Sequence, residues 1–337
     1  MEILVTGGLG YIGSHVATLL IEAGMEVLII DNLANTRIEV LDGIESITGK
    51  RPYFKEMDVC DSEGMAQLVA EHPNLKGVIH FAAHKSVNES IAQPIEYYEN
   101  NLGGLNQLLK ISTQQSIPFI FSSSCTVYGQ AEKMPIREDD PLKKAISPYG
   151  NTKRIGEEII QDCCKAFENF NAVLLRYFNP IGAHESAKIG EYPRGVPQNL
   201  VPFLTQTVIG KYSKLRVFGS DYPTKDGTCI RDYIHVMDLA QAHIASLNYL
   251  LNKQNSENCE VFNVGTGKGV SVLELIYLFE KATGEKVPYV LSNPREGDTI
   301  EAYADATKIK EKMGWQAKYS IEEALQSAWK WEVKLKG

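Results

Sequence analysis

The sequence predicts an α/β protein built on a doubly wound parallel sheet, followed by a smaller α/β region. Three observations carry this. Strand-like and helix-like segments alternate from residue 1 to about residue 178, as parallel strands joined by crossover helices require. The first strand, Glu2-Ile3-Leu4-Val5-Thr6, runs into Gly7-Gly8-Leu9-Gly10-Tyr11-Ile12-Gly13 and then into a helix, an order that suits phosphate binding at a helix N-terminus. Between residues 181 and 232 glycine and proline recur every few positions, which means loops and short elements.

Taken in order, the first helix is expected to run to about Ala23, with Gly24 closing it. Gly7 permits the tight turn, Gly10 lets backbone approach a pyrophosphate, and Gly13 packs helix on strand. The glycine spacing is Gly-x-x-Gly-x-x-Gly. The second strand, Glu26–Ile30, ends on Asp31-Asn32-Leu33, where a carboxylate holds ribose hydroxyls and repels a 2′-phosphate, favouring NAD. A helix near Arg37–Thr48, a strand at Pro52–Met57, Asp58-Val59 and a helix from Asp61 to Ala70 follow. The strand Gly77–His80 then leads into Phe81-Ala82-Ala83-His84-Lys85, small residues that let backbone lie against a cofactor, with Lys85 in reach of phosphate. His80 and His84 read as packing or local hydrogen-bonding residues. A long helix, Pro94–Gln115, carries Asn100 and Asn101, and the apolar run from Pro118 ends on Ser122-Ser123-Ser124. Next come a helix from Tyr149 to Phe167 and a strand from Asn171 to Arg176. Later helices are expected at Val236–Leu251, Ser271–Thr283 and Ile321–Lys334, with strands near Glu260–Val264 and Val287–Leu291. The division is residues 1–178 for a dinucleotide-binding unit and 179–337 for a substrate region, with some chain returning to the first unit.

Composition narrows the class. With 337 residues, 44% hydrophobic and 23% charged, the chain has the make-up of a globular enzyme. A formal net charge of −8 without a Lys/Arg cluster argues against nucleic acid. The six cysteines show no ligand spacing and read as free thiols, so no metal site is expected. The first strand starts almost at Met1 and no apolar run approaches membrane length. A soluble, cytoplasmic protein is expected.

The chemistry centres on Tyr149 and Lys153 in Ser147-Pro148-Tyr149-Gly150-Asn151-Thr152-Lys153. A spacing of four puts both side chains on one helical face. A lysine ammonium favours the phenolate and so pulls the phenol toward a titration useful for acid–base work on a hydroxyl. Ser124, at the end of a buried strand, adds a third group.

These motifs resemble the extended short-chain dehydrogenases/reductases over essentially the whole chain. The segments that carry it are Thr6–His15, Asp31-Asn32-Leu33, Ser122–Ser124 with Thr126-Val127-Tyr128-Gly129, Tyr149 with Lys153, Arg176–Ala183 and Arg231–Val236. Phe218-Gly219-x-Asp221-Tyr222-Pro223-Thr224-x-Asp226-Gly227-Thr228 and Arg295-Glu296-Gly297-Asp298 are similar to the UDP-glucose (UDP-galactose) 4-epimerase family within it. The resemblance implies a Rossmann-type fold, NAD as a bound cofactor, a UDP-sugar substrate and a homodimer formed through the Pro94–Gln115 and Tyr149–Phe167 helices. In that case Leu102, Leu105, Leu108 and Leu109 would face either the partner or the core. It implies Tyr149 as base, Lys153 as its pKa-lowering and ribose-binding partner, and Ser124 as holder of the sugar 4-hydroxyl. Gly7, Gly10, Tyr11, Ile12, Gly13, Asp31, Asn32, Asn35, Asp58, Val59, Phe81, Ala82, Lys85, Asn100 and Phe178 would touch NAD. Asn179, Asn199, Leu200, Phe218, Arg231, Arg295 and Asp298 would hold the UDP half. The implied reaction is 4-epimerisation between UDP-glucose and UDP-galactose through a 4-keto sugar.

Two departures stand out: Cys125 where alanine is common and His84 where an apolar residue is expected. In the family, the seventh residue after the arginine of Arg-Glu-Gly-Asp borders the sugar C2 substituent, and here it is Ala302. A small residue there implies room for N-acetylated UDP-sugars; a one-residue slip would put Tyr303 at that wall instead. Rival readings are a UDP-uronate epimerase or decarboxylase, and a 4,6-dehydratase. The dehydratase needs an Asp-Glu pair where this chain has Cys125-Thr126. The remaining rival is a non-catalytic NAD sensor, which has no need of Ser124, Tyr149 and Lys153 together.

Overall fold

The computed structural model describes residues 1–295 and 298–336. The chain runs β1 (Glu2–Thr6), α1 (Tyr11–Glu22), β2 (Glu26–Asp31), α2 (Val40–Thr48), β3 (Tyr53–Glu56), α3 (Ser62–Glu71), β4 (Leu75–His80), α4 (Val87–Ala92), α5 (Pro94–Gln115) and β5 (Phe119–Ser124). A 3-10 turn (Cys125–Tyr128) leads to α6 (Pro148–Ala166), β6 (Ala172–Tyr177), β7 (Asn179–Ile181), α7 (Leu200–Val208), β8 (Leu215–Phe218), β9 (Ile230–Arg231) and β10 (Tyr233–His235). Then follow α8 (Val236–Leu251), β11 (Cys259–Val264), β12 (Val270–Ser271), α9 (Val272–Thr283), β13 (Tyr289–Ser292), β14 (Glu301–Ala302), α10 (Thr307–Met313) and α11 (Ile321–Lys336). No helix among the described residues is long and apolar enough to cross a membrane.

Seven parallel strands form the main sheet in the order β11-β6-β5-β4-β1-β2-β3. Both faces are covered, which is why its strands read as apolar runs without alternation. Ile3 and Val5 face one layer with Val16, Leu20, Leu239 and Leu247 of α1 and α8. Leu4 faces the other with Leu68, Leu105, Leu108 and Ile160 of α3, α5 and α6. Leu105, Leu108 and Leu109 therefore belong to the core, and Leu102 alone of the four is only half-buried. A third core gathers Val201, Leu204, Leu275, Phe279 and Leu325 between α7, α9 and α11.

Chain order reverses between β1 and β4, the point where doubly wound sheets open a crevice at the strands' C-terminal ends. Late chain re-enters this unit: β11 pairs with β6, and α8 packs in the α1 layer.

The helices α4, α7 and α10 and the short strands β7–β10, β12 and β14 were not placed by the sequence expectation. α4 is six residues long, capped by the Ser86 hydroxyl and ended at Gln93 before Pro94, too short to show a helical period. α7 sits inside the breaker-rich stretch because its own nine residues hold a single proline, in the first turn, where no helical N–H is lost. α2 starts at Val40 and not near Arg37, whose guanidinium stacks on the Tyr192 ring at 3.5 Å.

Candidate active site

At the switch point the β1–α1 turn meets the loop after β4. Gly7 adopts φ +66, and a Cβ on it would lie 2.7 Å from the Ala82 backbone nitrogen. Phe81 N–H donates to the Thr6 carbonyl, so the two loops lie flush. Gly10 is the N-cap of α1 and has no side chain to satisfy the first-turn N–H groups, leaving those around Tyr11, Ile12 and Gly13 for an anion. A Cβ on Gly13 would approach the Gly7 carbonyl oxygen to 2.4 Å. Backbone cannot yield there, so Gly13→Ala is expected to weaken dinucleotide binding about 10–100-fold, the equivalent of an overpacking cost of about 1–3 kcal/mol; calorimetric titration with NAD measures it.

Asp31 ends β2 nearly buried. Its Oδ2 accepts from Leu9 N–H at 3.2 Å and its Oδ1 from Leu33 N–H at 3.0 Å. Burial raises its pKa and the two N–H groups pull it back. Each oxygen keeps capacity for one more donor, as a ribose diol needs. Asn32 donates to Asp58 Oδ2 at 3.1 Å. Asn35 is exposed in the loop beyond, whose Ala34 and Thr36 carbonyls both accept from Arg194 at 2.7 Å. Val59 packs on Gly104 in the core. Asn100 donates to Asn101, a buried residue that holds the His84 backbone and the Thr152 hydroxyl of α6. Lys85 and Asn199 share one oxygen of Glu191, at 3.4 and 2.8 Å. These groups fit a dinucleotide without a 2′-phosphate.

α6 begins one residue before Tyr149. Ser147 caps it by accepting from Gly150 N–H at 3.2 Å, and Pro148 supplies a helical φ at the first position. The cap fixes the turn that carries Tyr149. Lys153, one turn on, donates to the Ser122 carbonyl at 2.7 Å, above the Phe121 ring at 4.9 Å. Ser124 accepts from Thr126 N–H at 3.2 Å, which leaves its own proton for the Tyr149 phenol. Ser124 and Tyr149 are brought together, and Lys153 stands one helical turn beyond Tyr149, bonded to the backbone of the same strand end. Their electrostatics differ from the simple expectation, because burial dominates. It drives the Tyr149 phenol well above its usual range, Ser124 pulling it back only in part, and lowers Lys153 to about 8. The ammonium's protein partner is a carbonyl of the sheet.

On the substrate side, Phe178 is buried in a small core with Val127, Tyr128, Ile136 and Ala304, against which Cys125 and Ala302 also pack. Asn179 N–H donates to the Asp232 carbonyl. Asn199 caps α7 and Leu200 is its first residue. Arg231 and Ala302 are register partners of β9 and β14. Buried Asp232 fixes that register, accepting from Thr266, Gly267 and Ala304 N–H groups. Arg295 stacks on Phe218 at 4.7 Å and forks onto both Asp298 oxygens at 3.0 Å. Burial raises the Cys229 thiol pKa, Arg231 lowers it and Asp298 raises it further, so both ends of this region converge on one thiol. Glu296 and Gly297, between them in sequence, lie outside the described residues.

Sequence reasoning missed Glu191, Asp232 and Glu157. Glu157 had a signal, an acid one turn after Lys153 on the same helical face.

A family model described as GDP-mannose 4,6 dehydratase matches residues 4–328. The chain is 47% identical over 333 residues to the UDP-glucose 4-epimerase of Bacillus subtilis (strain 168), covering 98% of this chain and 97% of that one. A crystal structure of the UDP-glucose-4-epimerase from Stenotrophomonas maltophila, with bound NAD and formylated UDP-arabinopyranose, superposes with a TM-score of 0.96 at 42% identity, over 100% and 99% of the two chains. The UDP-Glc/GlcNAc 4-epimerase of Campylobacter jejuni superposes with a TM-score of 0.84 at 36% identity, over 99% of each.

Proposed function

Because this chain belongs to the UDP-glucose 4-epimerase family of extended short-chain dehydrogenases/reductases, we propose that it is an NAD-dependent isomerase interconverting UDP-glucose and UDP-galactose. What supports the reading is the Ser124 hydroxyl bonded to the Tyr149 phenol, with Lys153 one helical turn on, in a fold whose β1–α1 turn is closed by glycines that admit no side chain. Residues 1–178 would hold the cofactor and 179–337 the UDP-sugar, with α8 and β11 returned to the first unit.

NAD held by the β1–α1 turn and Asp31 would supply the acceptor and donor of the C4 hydride and, in its oxidised form, a positive charge. The chain's own residues do the rest. Tyr149 takes the 4-hydroxyl proton as base. Ser124 holds that hydroxyl and shares the proton with the phenol. Lys153 binds the nicotinamide ribose and supplies positive charge against the buried phenol. Arg231 and Arg295 grip the pyrophosphate, for which forked guanidinium donors are suited. That anchor is remote from C4, so the 4-keto sugar turns over without leaving and the hydride returns to its opposite face.

The dehydratase description of the family model fits less well. Its extra acid–base pair would stand at Cys125-Thr126, where burial and Asp232 push the thiol up to about 11 against the pull of Arg231, and Thr126 Oγ1 is buried without a partner. Neither group replaces a carboxyl. A coupled assay starting from UDP-galactose should yield UDP-glucose; a folded, NAD-loaded sample that makes none overturns the reading.

The six cysteines are thiols, which suits a reducing cytoplasm. A homodimer would use the solvent side of α5 and α6, near which Ile91 and Ile95 are 61% and 72% exposed; light scattering gives its mass.

A further inference from the structure

Apart from Glu157, the titratable groups around Tyr149 and Lys153 carry no charge near neutrality. On β4, burial holds His80 down at about 3. In the 3-10 turn Cys125 is pushed up to about 11, and on β6 Tyr177, bonded to the Ser122 hydroxyl, is pushed up to about 12. On α5 Tyr97 is raised above the usual phenol range by burial and by Glu89 of α4, which accepts its hydroxyl proton at 2.6 Å. On its own helix stand Tyr149, one turn before it, and Glu157, one turn after it.

Glu157 is 1% exposed and its oxygens are fully engaged. Ser123, the neighbour of Ser124 on β5, donates to Oε1 at 2.5 Å. Arg176 of β6 donates through Nε to Oε1 at 2.9 Å and through Nη2 to Oε2 at 2.6 Å. The other arm of Arg176 reaches the Tyr128 hydroxyl at 3.0 Å and the Glu138 carbonyl at 3.2 Å. Tyr128 passes the chain on to Asn263 of β11 at 2.7 Å. A buried charge pair thus joins the helix that carries Lys153 to β6, and the Ser123 hydroxyl ties the strand that carries Ser124 to the same carboxylate. Buried ion pairs are weak evidence for stability and are better explained by a positioning task.

We propose that Glu157, held by Arg176, is the positioning residue of the catalytic machinery: it supplies the counter-charge of the Lys153 ammonium and, through Ser123, fixes Ser124 against α6. Burial lowers the Lys153 pKa, and Glu157 opposes that lowering. The pair has two ends of opposite sign, which separates charge from packing. Glu157→Gln leaves Arg176 uncompensated and adds repulsion to lost attraction, so Lys153 gives up its proton more easily. Arg176→Met leaves Glu157 uncompensated, so Lys153 keeps its proton longer.

The test is the pH dependence of kcat for UDP-galactose turnover, which rests on the 4-epimerase reading. The alkaline limb reports loss of the Lys153 proton. It should move down by about one pH unit or more in Glu157→Gln and up in Arg176→Met. Ser123→Ala keeps both charges; it should lower kcat severalfold and leave the limb in place. Folded variants whose limbs move in the same direction, or not at all, overturn the proposal, as does a Ser123→Ala limb displaced as far as that of Glu157→Gln. Should Glu157→Gln fail to fold, Lys153→Met in the same chain removes the repelling cation and should restore a cooperative thermal transition. A double variant that stays unfolded counts against the proposal. This folding arm needs no turnover, so its failure is distinct from a native chain that makes no UDP-glucose, which would sink the functional reading instead.

Discussion

Tyr149→Phe is expected to bind UDP-sugar nearly as the native chain does and to lose about 10²–10⁴-fold in turnover. The ring stays where Ser147 and Pro148 place it, because the helix cap depends on Gly150 N–H and not on the phenol. What disappears is the oxygen that Ser124 faces and that, on the proposed mechanism, takes the 4-hydroxyl proton. Burial raises the native phenol so far that positive charge has to bring it back into a working range. On the proposed mechanism Lys153 supplies part of that charge, and burial lowers its own pKa to about 8. A steep pH–rate profile in the native enzyme follows, and the phenylalanine variant should show a flat residual one. Equilibrium titration with UDP-sugar and initial rates on the same sample separate binding from chemistry. An unchanged turnover number would show that another group is the base.

The parts of this fold that were legible in the sequence are those where one local pattern decides the structure. β1, the glycine turn and α1 are set by a buried apolar run, a positive φ at Gly7 and backbone contact at Gly13. α5 was placed to the residue, with Pro94 at its first position. The side chains of Ser124, Tyr149 and Lys153 could be grouped because a strand end and a helical spacing of four leave few arrangements. Less legible were contacts that join distant chain. Glu191 takes both Lys85 and Asn199, more than a hundred residues from the first, and Arg194 pins the loop after β2. The return of β11 to β6 depends on the fold closing around Arg176 and Asn263, not on any pattern within Cys259–Val264. The core-facing side of α5 could not be told from a partner-facing one, since Leu105, Leu108 and Leu109 satisfy either until the sheet is in place.

Ala302→Tyr is expected to leave UDP-glucose and UDP-galactose turnover nearly intact while lowering that of N-acetylated UDP-sugars about 10–100-fold, the equivalent of about 1–3 kcal/mol of overpacking. The argument turns on which residue faces the sugar. β14 runs parallel to β9 with Ala302 opposite Arg231, and Asp232 N–H donates to the Ala302 carbonyl at 3.0 Å. Ala302 and Cys125, the residue after Ser124, both pack against the small core that holds Val127 and Phe178. Neighbours along a strand point to opposite faces, and the ring of Tyr303 lies on the other side, against Gly269, where a Cβ would come within 2.9 Å of it. A one-residue slip would have to pull that ring out of its seat and break the bond from Ile136 N–H to the Tyr303 carbonyl at 2.9 Å. If Ala302 borders the sugar C2 substituent, the wall there is a methyl group, with room for an acetamido group where a tyrosine ring would otherwise stand. The native chain should then interconvert UDP-N-acetylglucosamine and UDP-N-acetylgalactosamine as well. Rates for both sugar pairs, measured on the native chain and on Ala302→Tyr, decide it. A native enzyme inert toward the N-acetylated pair, or a tyrosine variant that handles both pairs equally well, would place the C2 wall elsewhere.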